Sequence, residues 1–204
     1  MRDIVLRESF YDRDTVLVAR ELLGKTIVAE RNRRTAARIV ETEAYVKGDP
    51  ANHAFKGETK RNQSMFKGPG TLYVYSVHGH ACMNAVTRPG EAVLLRAAEP
   101  IQNIRDRTSG PGLLCKAMEI TLVDDGKSLI SSEIYVSDDG YKPENVAASP
   151  RIGVGAWKDR HLRFYIEGNL FVSKPKKQRF HEVSPSEALQ FLNRAVTRGY
   201  FSDA

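Results

Sequence analysis

Few cysteines and no long apolar run occur in this chain of 204 residues. The two cysteines, Cys82 and Cys115, lie far apart and outside any Cys-x-x-Cys spacing, which excludes a disulfide scaffold and fits free thiols in a reducing compartment. The first residues lack the apolar core of a signal peptide, and no segment approaches the roughly 18 apolar residues of a membrane span. These absences predict a cytoplasmic protein.

Repeats, low-complexity tracts and domain linkers are also absent from the sequence, which predicts one domain over residues 1–204. Hydrophobic residues make up 41% of the chain, an ordinary share for a protein that buries a core. The 31 Lys and Arg residues exceed the 25 Asp and Glu residues and give a formal net charge of +6. This excess favours a polyanionic partner such as nucleic acid, with a merely basic soluble protein as an equal alternative.

Hydrophobic periodicity and turn residues predict a mixed α/β (α+β) domain with a largely antiparallel sheet. Asp14 or Asp12 is expected to cap a first helix that Gly24 ends. Residues 46–70 are predicted to form a long loop, and such a loop inside a compact domain is usually functional or disordered. Strands are predicted over residues 25–30, 36–45, 72–77, 80–87, 92–98 and 162–166. Further helices are predicted over residues 100–107, 109–119 and 184–196.

Glu43 is the first candidate for chemistry, because alternation along its strand places it beside apolar and aromatic side chains. Ile39, Glu41, Glu43 and Tyr45 are expected on one face of that strand. A carboxylate on such a semi-apolar face is a candidate general base. The alternative, which the spacing alone favours, is a solvated carboxylate on an edge strand.

Aromatic residues cluster in the same part of the chain. Tyr45, Tyr73 and Tyr75 are candidates for stacking on a planar ring, and the last two share one face of their predicted strand. Core packing with satisfied hydroxyl groups is the alternative that the sequence by itself favours.

No cofactor or metal is predicted. His78, His80 and Cys82 would share one face of a strand, but zinc normally takes four ligands, and no second cluster of cysteine and histidine has suitable spacing. The run Arg151-Ile152-Gly153-Val154-Gly155 lacks the full glycine pattern of a dinucleotide site.

Several blocks, in order along the chain, resemble the alkyladenine DNA glycosylase family, also called methylpurine or 3-methyladenine DNA glycosylases. The blocks RIVETEAY (residues 38–45), MF-x-x-PGTLYVY (65–75), CMN (82–84) and VLLRAAEP (93–100) are similar to signature blocks of that family. Residues 22–25, 109–115, 151–155 and 162–165 also fit. The resemblance therefore runs through most of the chain.

The resemblance implies a single mixed α/β domain with a curved antiparallel sheet, surrounding helices and a protruding β-hairpin that enters the DNA minor groove. It also implies a reaction of base excision repair on double-stranded DNA. An alkylated purine, or on a broader reading a deaminated or etheno purine, is flipped out, and an activated water cleaves its N-glycosidic bond to leave an abasic site. No cofactor is implied, a monomer is expected, and in a bacterium the protein would be associated with the nucleoid.

The resemblance further implies roles for residues at matching positions. Glu43 corresponds to the general base that orients and deprotonates the water. Arg96 corresponds to the residue that helps to hold that water and the carboxylate. Tyr45, His53 and Tyr75 correspond to the pocket that sandwiches the flipped base.

Two further positions concern selectivity and DNA distortion. Asn84 corresponds to the residue that crowds the 2-amino group of guanine and so selects adenine-type lesions. At the hairpin tip the family usually has Tyr-Gly-Met, whereas this chain has His78-Gly79-His80. Because imidazole is smaller and more polar than phenol, His78 is expected to be a weaker and pH-sensitive wedge in the gap left by the flipped base.

Other functions are compatible with parts of the sequence. A non-catalytic protein that recognises damaged DNA would share the charge and the wedge, but it would not need the pair Glu43 and Arg96. An RNA-binding module that stacks bases on Tyr73 and Tyr75 would bind single strands without releasing bases. A bifunctional glycosylase would need a lysine nucleophile, and Lys47 is the lysine nearest to Glu43 in sequence.

Overall fold

A central antiparallel sheet organises residues 4–173, the part of the chain that the computed structural model describes. Its strands are β1 (Ile4–Val5), β2 (Thr26–Glu30), β3 (Arg34–Tyr45), β4 (Leu72–Val77), β5 (His80–Arg88), β6 (Glu91–Gln102), β7 (Ile134–Asp138), β8 (Val146–Ser149) and β9 (Arg163–Ile166). The described helices are α1 (Glu8–Tyr11), α2 (Thr15–Glu21) and α3 (Pro111–Ala117), with 3₁₀ turns at Gln63–Phe66 and Leu122–Asp124.

The order of the sheet places β3 and β6 at its centre. The strands follow one another as β1-β7-β2-β3-β6-β5-β4, while β9 pairs with β3 and β8 pairs with β9. One edge of β3 is bordered by β2 and then by β9, and the other edge is bordered by β6. The large antiparallel sheet with few helices confirms the predicted α+β class, and it makes β3 an interior strand.

Helix α2 begins where the sequence predicts. The carboxylate of Asp14 accepts hydrogen bonds from the backbone N–H groups of Val16 and Leu17 at 3.0 and 2.9 Å, which satisfies donors that a helix start leaves unpaired. Val18 is fully buried on the side of the helix that faces the sheet. Gly24 follows at a φ of +86°, a conformation that glycine adopts without strain, and leads the chain into β2.

A register shift displaces the side chains of β3 from simple alternation. Ile39 pairs with Ala98 and Glu41 pairs with Ala97, so Val40 is an extra residue on β3. Directly paired residues lie on the same face of a sheet, and the adjacent residues Ala97 and Ala98 lie on opposite faces, so the prediction that Ile39 shares a face with Glu41 is wrong. A bulge breaks the period of two on which that prediction depended.

A second shift occurs in β6, directly opposite the first. Glu41 pairs with Ala97 and Thr42 pairs with Leu95, so Arg96 is the extra residue on β6. Bulges of this kind re-aim side chains, and they are frequent beside active sites. The arginine that the sequence analysis selected therefore lies at an irregularity in the middle of the sheet.

The helix predicted over residues 100–107 is wrong, because β6 continues through Pro100. Pro100 pairs with Ala37 next to a register shift, and β5 borders only the first part of β6. Proline is compatible with a strand at such bulges and edges, so here it does not mark a helix start. Asn103, at a φ of +55°, follows the end of the strand.

The elements described above belong to one unit that ends at Ser173. The helix predicted over residues 184–196 lies outside the described residues, and the single domain over residues 1–204 stays a prediction. Within residues 4–173, no helix has both the length and the apolar character to cross a membrane.

Gly70 provides a test of packing under the sheet. Its φ is +78°, and an added Cβ would lie 2.7 Å from Cδ1 of Ile130 and 3.1 Å from the ring of Tyr11. We expect Gly70→Ala to lower the free energy of unfolding by about 2–5 kcal/mol, because backbone strain of about 1–2 kcal/mol adds to overpacking of about 1–3 kcal/mol. Chemical denaturation measures the loss.

Gly48→Ala is the matched control for this prediction. Gly48 has the same φ of +78°, but nothing lies within 4 Å of the added Cβ. The free energy of unfolding of Gly48→Ala should therefore fall only by the backbone contribution of about 1–2 kcal/mol. Equal losses in the two variants would show that space around Gly70 is not limiting.

Candidate active site

A cavity of about 290 Å³ lies beside β4, β5 and β6. The cavity is lined by Tyr73 and by five of the site residues that were predicted from the sequence. They are Tyr45, His53, Tyr75, Asn84 and Arg96. The structure thus brings together side chains from β3, β4, β5, β6 and the loop that follows β3, which are five separate segments of the chain.

The aromatic wall of the cavity is formed by Tyr73, Tyr75 and His53. The two tyrosines share one face of β4, with ring centroids 5.5 Å apart, and the His53 ring packs edge-on against Tyr75 at 4.3 Å. Nδ1 of His53 is hydrogen-bonded to the hydroxyl group of Tyr73 at 3.0 Å. Because Tyr73 is only 1% exposed, the pair forms a cavity wall and not the open stacking surface that an RNA-binding module requires.

Two buried asparagines hold the long loop that carries His53. Nδ2 of Asn52 donates to the carbonyl groups of Val46 and Gly90 at 3.0 and 2.9 Å. Nδ2 of Asn62 donates to the carbonyl group of His53 itself at 2.9 Å. The loop over residues 46–70 is therefore a fixed structure, and the alternative of a disordered loop is wrong.

The surroundings of His53 keep its imidazole neutral. Although part of the His53 side chain is exposed, its partial burial beside the tyrosines lowers the pKa of His53 from its ordinary value, and the positive charge of Arg61 lowers it further. Burial, followed by the charge of Asp125, raises the pKa of Tyr73 to about 12. At neutral pH the wall therefore presents an uncharged imidazole and protonated phenols to whatever enters the cavity.

Glu43 is fully buried on the interior strand β3, so the alternative of a solvated edge-strand carboxylate is wrong. The Tyr45 hydroxyl donates to its Oε2 at 3.0 Å, and the backbone N–H of Ile152 donates to its Oε1 at 2.8 Å. Nη1 of Arg96 lies 3.3 Å from the same Oε1. Each of these partners lines the cavity, whereas Glu43 itself does not. The carboxylate thus lies one side chain behind the cavity wall.

The hydrogen bonds of Glu43 leave room for one more donor. An ionised carboxylate has about four acceptor positions, two on each oxygen. Oε1 accepts from the backbone N–H of Ile152 and faces Nη1 of Arg96, and Oε2 accepts from the hydroxyl group of Tyr45. Counting donors from residues 4–173, one acceptor position on Oε2 is left, and such a position can accept a hydrogen bond from a water molecule.

Arg96 connects this carboxylate to a second one. Its Nε donates to Oε1 of Glu41 at 3.2 Å while its Nη1 faces Glu43. Although burial disfavours the charged form, the neighbouring carboxylates of Glu43 and then Glu41 raise the pKa of Arg96 above its ordinary value. The group is therefore a guanidinium ion that is shared between two buried anions.

Arg151 is a site residue to which the sequence analysis assigned no role. Its guanidinium group lies 4.5 Å from the centre of the Tyr45 ring, pairs with Asp49 and donates to the carbonyl group of Ala44 at 3.1 Å. These contacts hold the Tyr45 ring in place. No local pattern could have revealed the pairing, because Asp49 and Arg151 are 102 positions apart in the chain.

His78 occupies the tip of the hairpin formed by β4 and β5. It has a φ of +49° and is followed by Gly79 at +80°, and both residues are exposed. Positive φ values at both central residues are typical of tight two-residue hairpin turns. His78 therefore lies in the turn and does not share a strand face with His80 and Cys82. Among residues 4–173, no three His, Cys, Asp or Glu side chains are grouped to hold a metal ion.

A buried carboxylate behind an aromatic cavity, with a guanidinium group in the cavity wall, is an arrangement suited to acid–base chemistry on a flat, ring-shaped ligand. The chain belongs to the methylpurine-DNA glycosylase (MPG) family, whose model matches residues 9–170. The match covers every residue of the site described above.

Three relatives show how widely this similarity extends. A protein of Legionella pneumophila (strain Lens) is 48% identical, over 83% of this chain and 98% of its own length. One from Methanoculleus marisnigri is 41% identical, over 84% and 100%. One from Anaeromyxobacter dehalogenans (strain 2CP-1) is 47% identical, over 83% and 86%. Each of the three carries the name "Putative 3-methyladenine DNA glycosylase".

Replacement of Arg61 tests the electrostatics of the cavity wall. Because the charge of Arg61 lowers the pKa of His53, we expect Arg61→Gln to raise that pKa toward its ordinary value of 6.5.

In the wild type, the unfolded chain binds the His53 proton more tightly than the folded protein does. The contribution of His53 to the free energy of unfolding should therefore decrease as pH falls below about 6.5.

A proton NMR titration of His53 in both proteins measures this effect. Arg33→Gln is the control, since it removes the same charge at a position that does not act on the pKa of His53. A His53 pKa that is the same in wild type and Arg61→Gln would mean that Arg61 has no influence on the wall.

Proposed function

We propose that the protein is a monofunctional DNA glycosylase that excises alkylated purines in base excision repair. The observation that carries this proposal is the position of Glu43, fully buried and held by three groups that themselves line an aromatic cavity. Membership of the methylpurine-DNA glycosylase family and the names of the relatives support the substrate class.

The cavity supports recognition of a flipped base. Tyr45, His53 and Tyr75 would sandwich the ring of a nucleotide that has rotated out of the duplex. An alkylated purine carries a positive charge, which favours stacking on electron-rich phenol rings. A neutral His53 avoids repulsion of that charge. Flipping costs a few kcal/mol, and less for a damaged base, so damaged nucleotides enter more readily.

The carboxylate behind the cavity wall and the guanidinium group in that wall support hydrolysis. Glu43 would orient a water molecule and accept its proton as the water oxygen attacks C1′ of the sugar, and Arg96 would hold the carboxylate and the water. The N-glycosidic bond breaks through an oxocarbenium-like transition state, which the negative charge of Glu43 stabilises. A cationic alkylated base leaves without further protonation, whereas neutral lesions such as hypoxanthine need a proton on the departing base.

A single chemical step, without a lysine intermediate, is the version of the mechanism that the site supports. A Schiff base requires a lysine amine at the sugar. Lys47 is exposed, and among residues 4–173 no lysine lines the cavity.

Binding of duplex DNA would place the hairpin of β4 and β5 in the minor groove. His78, exposed at the tip, would fill the gap that the flipped nucleotide leaves in the stack. Arg61 donates to the carbonyl group of Ser76 near this tip at 3.4 Å and is exposed, which places a cation beside the hairpin. Such cations bind phosphates of the DNA backbone.

Replacement of Glu43 tests the general base. We expect Glu43→Gln to reduce excision of alkylated purines by at least about 1,000-fold while lesion binding is retained, because an amide has the shape of the carboxylate but accepts no proton. Free-base release under single-turnover conditions and a binding titration with the same duplex measure the two properties.

Glu99→Gln is the matched control for this substitution. Glu99 is another buried glutamate of the same sheet, it accepts from Asn169 at 2.9 Å, and it does not line the cavity. It should excise bases at the wild-type rate. Full activity of Glu43→Gln would sink the assignment of the general base, and binding without release by the wild type would turn the proposal toward a protein that only recognises damage.

Replacement of Asn84 tests selectivity. Asn84 is 4% exposed, lines the cavity and donates to the carbonyl group of Tyr73 at 3.1 Å, so its side chain is fixed where it can crowd the 2-amino group of guanine. We expect Asn84→Ser to improve release of methylated guanine relative to methylated adenine roughly tenfold. Competition between the two lesions measures the ratio, with exposed Asn145→Ser as control. An unchanged ratio in Asn84→Ser would assign the selectivity to another residue.

A further inference from the structure

The guanidinium group of Arg151 lies outside the cavity but against one of its walls. Its side chain is only 1% exposed, and its Cζ lies 4.5 Å from the centre of the Tyr45 ring, over the ring face. Tyr45 lines the cavity, whereas Arg151 does not. The guanidinium group therefore covers the side of the ring that faces away from the cavity.

Other contacts keep Arg151 in this position. Its Nη1 donates to the carbonyl group of Ala44 at 3.1 Å and to the carboxylate of Asp49. Asp49 is itself held, because it accepts from the backbone N–H of Ala51 at 3.0 Å. Nη2 of Arg151 is buried and has no hydrogen-bond partner among residues 4–173. The electron density of the Tyr45 ring then offsets part of the cost of burying the cation.

The Tyr45 ring is held from a second direction as well. Its hydroxyl group donates to Oε2 of Glu43 at 3.0 Å. The backbone N–H of Ile152, the residue after Arg151, donates to Oε1 of the same carboxylate at 2.8 Å. One face of the ring is thus covered and its hydroxyl group is bound. Arg151 can therefore act on the cavity in two ways, by holding the ring and through its positive charge.

The charge of Arg151 distinguishes ligands that the shape of the ring does not. Both faces of a phenol ring attract cations, but two cations at the same ring repel each other. A positively charged purine that stacks on Tyr45 from the cavity is therefore repelled by Arg151, whereas a neutral base of the same shape is not. Asp49 offsets part of this repulsion, but the charge that lies over the ring is that of Arg151.

We propose that Arg151 is a specificity-determining residue of the cavity, whose positive charge behind Tyr45 weakens the binding of cationic purines and so lets neutral damaged purines compete. This inference rests on the function proposed above. Neutral lesions such as hypoxanthine gain no cation–π stabilisation, so a wall of phenol rings alone would favour cationic bases over them. Arg151 reduces that difference without entering the cavity.

The test compares two damaged bases that differ in charge and not in shape. One duplex contains 7-methyladenine, which is cationic in a nucleotide. The other contains 7-methyl-7-deazaadenine, in which carbon replaces N7 and the base is neutral. A 2′-fluoro substituent on both nucleotides opposes formation of the oxocarbenium ion, so that binding is measured without cleavage. The dissociation constant of the neutral duplex divided by that of the cationic duplex gives the charge preference.

Removal of the charge should increase this preference. We expect the ratio of dissociation constants to rise about fivefold in Arg151→Met, because repulsion of a unit charge across one ring is lost. A displaced Tyr45 ring would weaken both duplexes alike, since the two bases have the same shape. A purely structural role of Arg151 therefore leaves the ratio unchanged, and that result would overturn the proposal.

Arg151→Lys is the matched control, because it keeps the positive charge but not the planar group that both pairs with Asp49 and stacks on Tyr45. Its ratio should stay within about twofold of the wild-type value, even where both duplexes bind more weakly. A rise as large as that in Arg151→Met would assign the preference to the shape of the side chain and would also overturn the proposal.

Asp49→Asn is a second variant, which keeps the proposal testable if Arg151→Met does not fold. It leaves the charge of Arg151 unopposed, while the amide oxygen can still accept from Nη1. The ratio should therefore move the opposite way and fall at least about twofold. An unchanged or higher ratio in Asp49→Asn would contradict the proposal.

Binding by the wild type separates this inference from the proposed function. If neither damaged duplex binds more tightly than an undamaged duplex of the same sequence, the proposed function itself fails. If both bind more tightly and the ratio is the same in wild type and Arg151→Met, only the role of Arg151 is overturned.

Discussion

The structure depends on one arginine that is shared between two buried carboxylates. Arg96 lies between Glu41 and Glu43 in the middle of the sheet, where isolated charges would be strongly disfavoured. Arg163 adds a second guanidinium group, so two anions are matched by two cations. Removal of any one partner would leave a buried charge unpaired. The arrangement that makes these charges tolerable in the core also places the carboxylate of Glu43 behind the wall of an aromatic cavity.

Backbone irregularities make this arrangement possible. In a regular antiparallel pair, side chains alternate strictly between the two faces of the sheet. The face of residue 96 would then be decided only by whether its position along the strand is odd or even. The extra residues Val40 and Arg96 interrupt the register between β3 and β6. Apolar side chains of β3 can then pack in the core while Glu41 and Glu43 contact Arg96.

The sequence predicted the strands better than the connections between them. The strand that carries Glu43, the helix cap at Asp14 and the strands on either side of His78-Gly79 have local patterns, and the structure contains these elements. Pro100 was misleading because proline suits a helix start and a strand bulge equally well. The burial of Glu43 was not visible either, because it depends on β6 and β9, which are distant in sequence. For the same reason Arg151 had no local signal.

The two-residue turn at His78 and Gly79 has a consequence for the energetics of DNA binding. Val77 pairs directly with His80, so the connection contains no spare residue that could let the strands slide or the tip collapse. Histidine is one of the side chains that tolerate a positive φ relatively well. The tip is therefore already shaped in the free protein, and in the proposed binding mode little conformational entropy would be lost when it met a duplex. A short, preformed tip can in this way offset the smaller contact area of an imidazole ring.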